Sequence, residues 1–332
     1  MLRLRRKIRV GLTMGDPSGI GPTIIAKALP KVKGLAEFVV VGDKWVFDKV
    51  ISCKSQVTLR LRSGQASHKF IDLNNVNHRK FAFGKVRAEY GRASMEYLDK
   101  AMELIKKKEI DCLVTCPISK EAINLAGFKF SGHTEYLERR ARAADTVMML
   151  LNKDLKFSLV TRHIPLEDVC RALTKDKLSR NIYITSRALK ELFLINRPRI
   201  AIAGLNPHAS DNGLIGCQEN RIIKPALRKF KKNKARLYGP LSADVAIYQA
   251  KEKKFDCVIA MYHDQALIAL KLCGNDTGVN LTLGLPFIRT SPLHGTAFDI
   301  AATGRARPAS LIAAIKLAIR CALNLKYTDV HG

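Results

Sequence analysis

His163, His208 and His263 are the residues whose types and placement could do chemistry together. Each follows a short apolar run, over residues 157–162, 200–207 and 258–262 respectively. Runs of that length read as strands, and in open α/β sheets ligands gather just beyond the carboxyl ends of strands. Imidazole is the commonest protein ligand for a metal ion, and three from separate strand ends would leave coordination positions open for a substrate. Taken singly, each reads rather as a loop histidine held by a hydrogen bond; only the three together put the metal reading level with that one. Separations of 45 and 55 residues match no local ligand spacing, so spacing alone leaves both readings open.

Three other segments have site-like composition. Ser131-Gly132-His133-Thr134 stands directly before a helix expected over 135–144. Free backbone N–H groups at that helix start favour an anion, with His133 and Thr134 as side-chain donors, or Thr134 simply caps the helix. Residues 11–22 (GLTMGDPSGIGP) form a glycine-rich strand-to-helix turn. It matches neither GxGxxG nor GxxxxGK[ST], so its glycines are read as serving tight backbone packing. Residues 284–295 (GLPFIRTSPLHG) read as a long ordered loop carrying Arg289, and ordered loops of that length are often functional.

The elements that must position these groups alternate between short apolar runs and longer helical patterns, as βα units of a mainly parallel sheet do. Strands are expected over 8–14, 38–41, 112–115, 157–161, 199–203 and 257–261. Helices are expected over 23–29, 93–107, 135–144, 177–193, 222–230 and 243–251. A last helix follows Ser310 as N-cap, with Leu311, Ile312, Ile315, Ile319 and Ala322 on one face. At 332 residues, with no repeat and no low-complexity linker, the chain reads as two α/β domains.

Composition narrows the class. The chain is 47% hydrophobic and 26% charged, which excludes a disordered or fibrous protein. Its 57 Lys and Arg against 29 Asp and Glu give a net charge of +28, which first points to nucleic acid, anionic membrane or acidic substrates. Part of the excess clusters at Arg3, Arg5, Arg6, Lys7 and Arg9, at Lys106 to Lys108, and at Lys224, Arg228, Lys229, Lys231, Lys232, Lys234 and Arg236, and the rest is spread thinly along the chain. Phe230 alone interrupts these runs with an aromatic ring, so no stacking platform for a single strand is visible and nucleic acid is not the expected partner. Eight scattered Cys without a CxxC pair read as free thiols in a reducing cytoplasm. No apolar stretch reaches the roughly 18 residues that span a bilayer, so no membrane association is expected.

Longer phrases carry a resemblance. MGDPSGIGP (14–22), CPISKEAI (116–123), SGHTEYL (131–137), TRHIPLEDV (161–169), GLNPHA (204–209), MYHDQALIALK (261–271) and VNLTLGLPFIRTSPLHGTAFDIA (279–301) occur in order over nearly the whole chain. Together they resemble the 4-hydroxythreonine-4-phosphate dehydrogenase (PdxA) family of pyridoxal phosphate biosynthesis. The resemblance implies two α/β/α domains like those of isocitrate and isopropylmalate dehydrogenases, with the active site in the interdomain cleft at a homodimer interface. Residues 1–128 with 290–332 would form one domain and 129–289 the other.

The implied reaction is NAD- or NADP-dependent oxidation of 4-phosphooxy-L-threonine, followed by decarboxylation to 3-amino-2-oxopropyl phosphate. Relatives acting on phosphorylated threonate or dihydrodiols make a sibling phosphorylated hydroxy acid the alternative substrate. The resemblance places a divalent metal (zinc, magnesium or cobalt) on His163, His208 and His263, one of them donated across the dimer. Such a metal would hold the substrate hydroxyl and carboxylate. Substrate contacts fall on His133, Thr134, Lys271, Asn280 and Arg289, the last a natural phosphate binder. Asp244 in GPLSAD resembles a family acid facing the site, able to bind the substrate ammonium, and is assigned a catalytic role with Lys271. Asp264 would orient His263 or merely cap a helix. HGTAFDIA resembles the cofactor-adenosine loop of isopropylmalate dehydrogenases, placing His294, Gly295, Thr296 and Asp299 at the cofactor. The chain departs from the family pattern at Thr23, Ser210, Asp211, Ala266, Ala269 and Thr303, none of them an implied metal or phosphate ligand.

Overall fold

The computed structural model describes residues 6–52, 68–130, 132–230 and 235–331. Ser131, Cys53, Arg3, Arg5, Lys231, Lys232 and Lys234 lie outside the described residues. The strands are β1 (Arg9–Thr13), β2 (Glu37–Gly42), β3 (His68–Asp72), β4 (Cys112–Thr115), β5 (Val147–Leu151), β6 (Lys156–Leu159), β7 (Arg199–Ala203), β8 (Arg236–Leu241), β9 (Cys257–Ala260), β10 (Val279–Leu283) and β11 (Ile288–Pro292). Helices alternate with them, giving a mixed α/β fold.

Two compact units divide the chain. The first holds residues 1–142 and 285–323, the second 143–284 and 324–332. These bounds differ from the expected 1–128 with 290–332 and 129–289. The difference has a packing cause: in the helix His133–Ala141, Leu137 packs with Ala101, Met102, Leu113 and Phe287, and Tyr136 with Met95, Leu98 and Ile123. Those apolar contacts tie the helix, and Phe287 with it, to the first unit.

In the first unit the strand order is β3-β2-β1-β4-β11, and every neighbouring pair is parallel. In the second the order is β10-β5-β6-β9-β7-β8. There β5 is antiparallel to both neighbours, while β6, β9, β7 and β8 run parallel. The central strands, such as CLVT of β4 and CVIA of β9, are buried along their whole length, which is why they read as continuous apolar runs.

Five strands escape the apolar-run reading. β3 (HKFID) and β8 (RLYGPL) are polar edge strands, and an edge tolerates the Gly239-Pro240 pair of β8. β10 and β11 carry Asn, Thr, Arg and Ser, and β5 (VMMLL) is an apolar run that the expected strands did not include. The expected loop over 284–295 is therefore corrected: β11 occupies its centre, fully buried and paired with β4. Two caps are corrected as well. Gly132, not Thr134, is the N-cap of the helix His133–Ala141. Ser310 lies inside the helix Ala309–His331, where its hydroxyl accepts a bond from the Leu293 N–H at 3.3 Å.

The turn after β1 is set by backbone crowding. A Cβ on Gly15, whose φ is +72°, would lie 2.3 Å from the Pro117 carbonyl oxygen, and one on Gly21 would lie 2.0 Å from that of Met14. Asp16 is sealed within this turn at 0% exposure, its Oδ1 accepting from the Ser18 N–H and hydroxyl at 2.9 Å each. Burial pushes its carboxyl up to about 6 against the pull of those two bonds. A carboxyl raised on folding contributes stability that is full below its unfolded value of 3.8 and lost as pH rises through about 6. The stability of the wild type relative to Asp16→Asn is expected to fall by on the order of 2–3 kcal/mol as pH rises from about 4 to about 7, checked by denaturant titrations. A gap independent of pH would contradict the burial account.

Candidate active site

In the second unit, β6, β9 and β7 lie side by side and parallel, so their carboxyl ends share one edge. That edge receives the three histidines. His163 follows β6, His208 follows β7, and His263 follows β9 as the first residue of the helix His263–Leu272. The first and last of these segments are laced together: Thr161 donates to the Met261 carbonyl through its N–H at 3.1 Å and its hydroxyl at 2.7 Å. The His163 and His263 ring centroids consequently sit 5.4 Å apart. Asp264 lies 2.7 Å from Nδ1 of His263, leaving Nε2 for a metal, and is thus no simple cap.

His208 is held differently. Residues His208–Asn212 all have positive φ, between 40° and 73°, and Gly213 follows at 106°. A left-handed turn of side-chain-bearing residues costs roughly 1–2 kcal/mol per residue and persists only where the surroundings enforce it. Here Glu219, 0% exposed, accepts 2.8 Å bonds from the N–H groups of Leu205 and Asn206 and from the Asn206 side-chain amide. Asp244 is exposed at the start of the helix Ala243–Lys251. A bond from the Ser242 hydroxyl is the main cause holding its carboxyl below the usual range, and His208 adds a smaller pull.

The donor chemistry fits a divalent metal in part. His163 and His263 are two neighbouring imidazoles, one oriented by a carboxylate. Among the described residues, however, no three His, Cys, Asp or Glu side chains of one chain are grouped to hold an ion, so His208 does not join the pair within a chain. Lys271 stands eight residues beyond His263 on the same helix, about 12 Å along its axis, and is exposed. Asn280, on β10, keeps a buried Oδ1 with no hydrogen-bond partner.

The first unit builds a second polar centre. Arg289 is only 2% exposed, on β11, and donates to the Thr115 hydroxyl at 2.7 Å. Burial brings its guanidinium down to about 10, still charged at neutral pH. His133, first in its helix, is held well below its ordinary value, mainly by burial and then by the Arg289 charge. A bond to the Cys116 backbone opposes that shift. His133 is therefore neutral at pH 7, and its buried Nε2 has no partner. Thr134 is buried beside it in the first turn. A sealed cation, a neutral imidazole with a spare nitrogen and a helix start are suited to a phosphorylated, hydroxyl-bearing ligand.

The expected cofactor segment lies in the same unit. Burial lowers the His294 imidazole; its Nδ1 lies 3.1 Å from the Gly295 carbonyl, and its buried Nε2 has no partner. Gly295 borders open space, and Asp299 is exposed. The Thr296 carbonyl accepts from the Ile20 N–H at 3.0 Å, and Ser18 bonds Gly84 and Lys85 at 2.8 and 2.7 Å. The GDPSG turn thus anchors both neighbouring loops. An orphaned imidazole nitrogen beside a glycine with free space fits a planar polar cofactor. Sequence reading had no pattern for the roles of Asp16, Ser18 and Glu219; a lone acid beside Gly or Asn was the only available signal.

Comparison with known proteins identifies the family. Residues 34–318 match the family described as pyridoxal phosphate biosynthetic protein PdxA. A 4-hydroxythreonine-4-phosphate dehydrogenase of Sulfurihydrogenibium sp. (strain YO3AOP1) is 43% identical over 317 residues, covering 94% of this chain and 98% of that protein. A D-threonate 4-phosphate dehydrogenase of Salmonella typhimurium (strain LT2) is 40% identical over 324 residues, covering 94% and 98%. The crystal structure of a 4-hydroxythreonine-4-phosphate dehydrogenase from Klebsiella pneumoniae superposes with a TM-score of 0.86 at 37% identity, covering 96% and 98%. With an ordered family match over most of its length and relatives this similar from end to end, the chain belongs to the PdxA family of pyridoxal phosphate biosynthetic proteins.

Proposed function

We propose that the protein oxidises 4-phosphooxy-L-threonine with NAD or NADP and releases carbon dioxide, giving 3-amino-2-oxopropyl phosphate. The observation that carries this reading is the pair of histidines at adjoining strand ends, one of them oriented by Asp264. The substrate carbon bearing the hydroxyl gives its hydride to the nicotinamide while the hydroxyl gives its proton to a base, and the resulting β-keto acid loses its carboxylate as carbon dioxide, the α-carbon taking up a proton in its place. His163, His263 and His208 would hold a divalent cation, which when bound would supply electrophilic stabilisation of the oxygen that loses its proton. Because one chain groups only two of these, His208 is the ligand donated by a second copy in a homodimer.

The chain's own groups divide the remaining work. Arg289 binds the phosphate as a desolvated cation, and Thr134 adds a hydroxyl donor. His133, neutral with a spare nitrogen, accepts a substrate hydroxyl or takes up a proton as the dianion approaches. Lys271 and Asn280 complete the substrate contacts, Lys271 also acting in proton transfer. Asp244, held anionic, binds the substrate ammonium. His294, Gly295, Thr296 and Asp299 hold the cofactor. A threonate substrate has a hydroxyl where the ammonium stands, and similarity to the Salmonella enzyme favours that as the second reading. Among the described residues no helix is long and apolar enough to cross a membrane.

NADH formation from each substrate decides between the two readings: faster turnover of 4-phosphooxy-L-threonine is expected, and turnover of D-threonate 4-phosphate alone would select the second. Arg289→Lys is expected to raise KM for the phosphorylated substrate about 10- to 100-fold, the worth of a charge-assisted bond, while KM for NAD stays within twofold. Equal losses for a substrate lacking phosphate would contradict the assignment. Mixing inactive His208→Ala with inactive His263→Ala and allowing subunits to exchange is expected to restore about a quarter of wild-type activity, because half the dimers are mixed and each regains one intact site. No recovery after demonstrated exchange would contradict a shared site.

A further inference from the structure

Among the described residues, Glu219 is the one fully buried acid of the second unit's strand-end network that the proposed chemistry does not use. Its carboxylate meets three donors at 2.8 Å, all from Leu205 and Asn206, and the Asn206 amide also reaches the Gln218 side-chain oxygen at 2.9 Å. Those two residues, followed only by Pro207, lead into the left-handed turn that begins at His208. On the other side of the same segment, Gln265 donates to the Gly204 carbonyl at 2.9 Å and accepts from the Met261 N–H at 2.8 Å. Gln265 therefore straps the end of β7 to the end of β9, two residues before His263. The approach is close: a Cβ on Gly204 would lie 3.2 Å from a Glu219 carboxylate oxygen and 2.9 Å from the Ala209 Cα.

We propose that Glu219 is a positioning residue for His208. By fixing the backbone at residues 205 and 206 it sets where the left-handed turn starts and so where the imidazole points, while Gln265 fixes that start relative to His263. The inference rests on reading His208 as a metal ligand. Glu219→Gln keeps the volume but turns a donor toward the Asn206 amide donors, so the clamp loses its third bond without leaving a cavity.

The test uses the full-length dimer, stripped of divalent ions and titrated with cobalt(II), beside hydrogen exchange of residues 205–216. Glu219→Gln is expected to bind cobalt about 10- to 100-fold more weakly, as loss of groups that orient ligands does elsewhere. Exchange over 208–213 should quicken, and KM for NAD should stay unchanged. Wild-type cobalt affinity in a folded Glu219→Gln protein would overturn the proposal, since a purely structural role lowers thermal stability without moving affinity. Asn206→Ala, which removes only the amide bonds, is expected to weaken cobalt in the same direction, and serves if Glu219→Gln does not fold; unchanged affinity there overturns the proposal equally. His208→Ala separates the layers. Weakened cobalt binding in it is expected, and wild-type affinity would bring down the ligand reading and Glu219's role together.

Discussion

Parallel pairing of β6, β9 and β7 is the constraint on which the second unit's chemistry depends. Parallel strands present all their carboxyl ends on one edge, so three histidines separated by 45 and 55 residues in the chain emerge on that edge, with the His163 and His263 rings 5.4 Å apart. Antiparallel order among these strands would send one of the three to the opposite edge. The lacing of Thr161 to Met261 and the Gln265 strap then convert shared edge into fixed spacing. Strand order brings the groups near; side-chain hydrogen bonds aim them.

The first unit carries a different feature, a guanidinium sealed from water. Arg289 sits on a buried strand beside an imidazole that burial keeps neutral. Two cations there would repel; one cation and one neutral nitrogen do not, and the imidazole can take up a proton when phosphate adds negative charge. Against the net charge of +28, this single sealed guanidinium has a clearer purpose than the basic runs near residues 6–9 and 224–236. Among the described residues of those runs, Arg6, Lys7, Arg228, Lys229 and Arg236 are exposed, where a charge is solvated and contributes little to the fold.

What the sequence made legible follows from burial. Strands packed on both faces read as apolar runs, so β1, β4, β7 and β9 and the histidines behind them could be found without coordinates. Edge strands such as β3 and β8 carry polar residues on an open side and leave no such run. β11 hid behind Arg289, because a buried charge breaks the pattern that marks a core strand. The bounds of the compact units differ from the expected domain bounds because Tyr136 and Leu137, spaced as ordinary helix residues, gave no sign of which core they enter. Glu219 and the left-handed turn at His208 were invisible for the same kind of reason: clamp partners are set by the loop path, which no local propensity encodes.

The claim at the centre is that strand-end histidines hold a divalent cation on which the oxidation depends. NADH formation from NAD and 4-phosphooxy-L-threonine, followed in protein stripped by a chelator and then resupplied with zinc, magnesium or cobalt, tests it most directly. The account predicts that stripping abolishes turnover, that at least one of these ions restores it in the wild type, and that none restores it in a folded His163→Ala protein. Undiminished turnover by rigorously metal-free enzyme, or full recovery in His163→Ala, would contradict it.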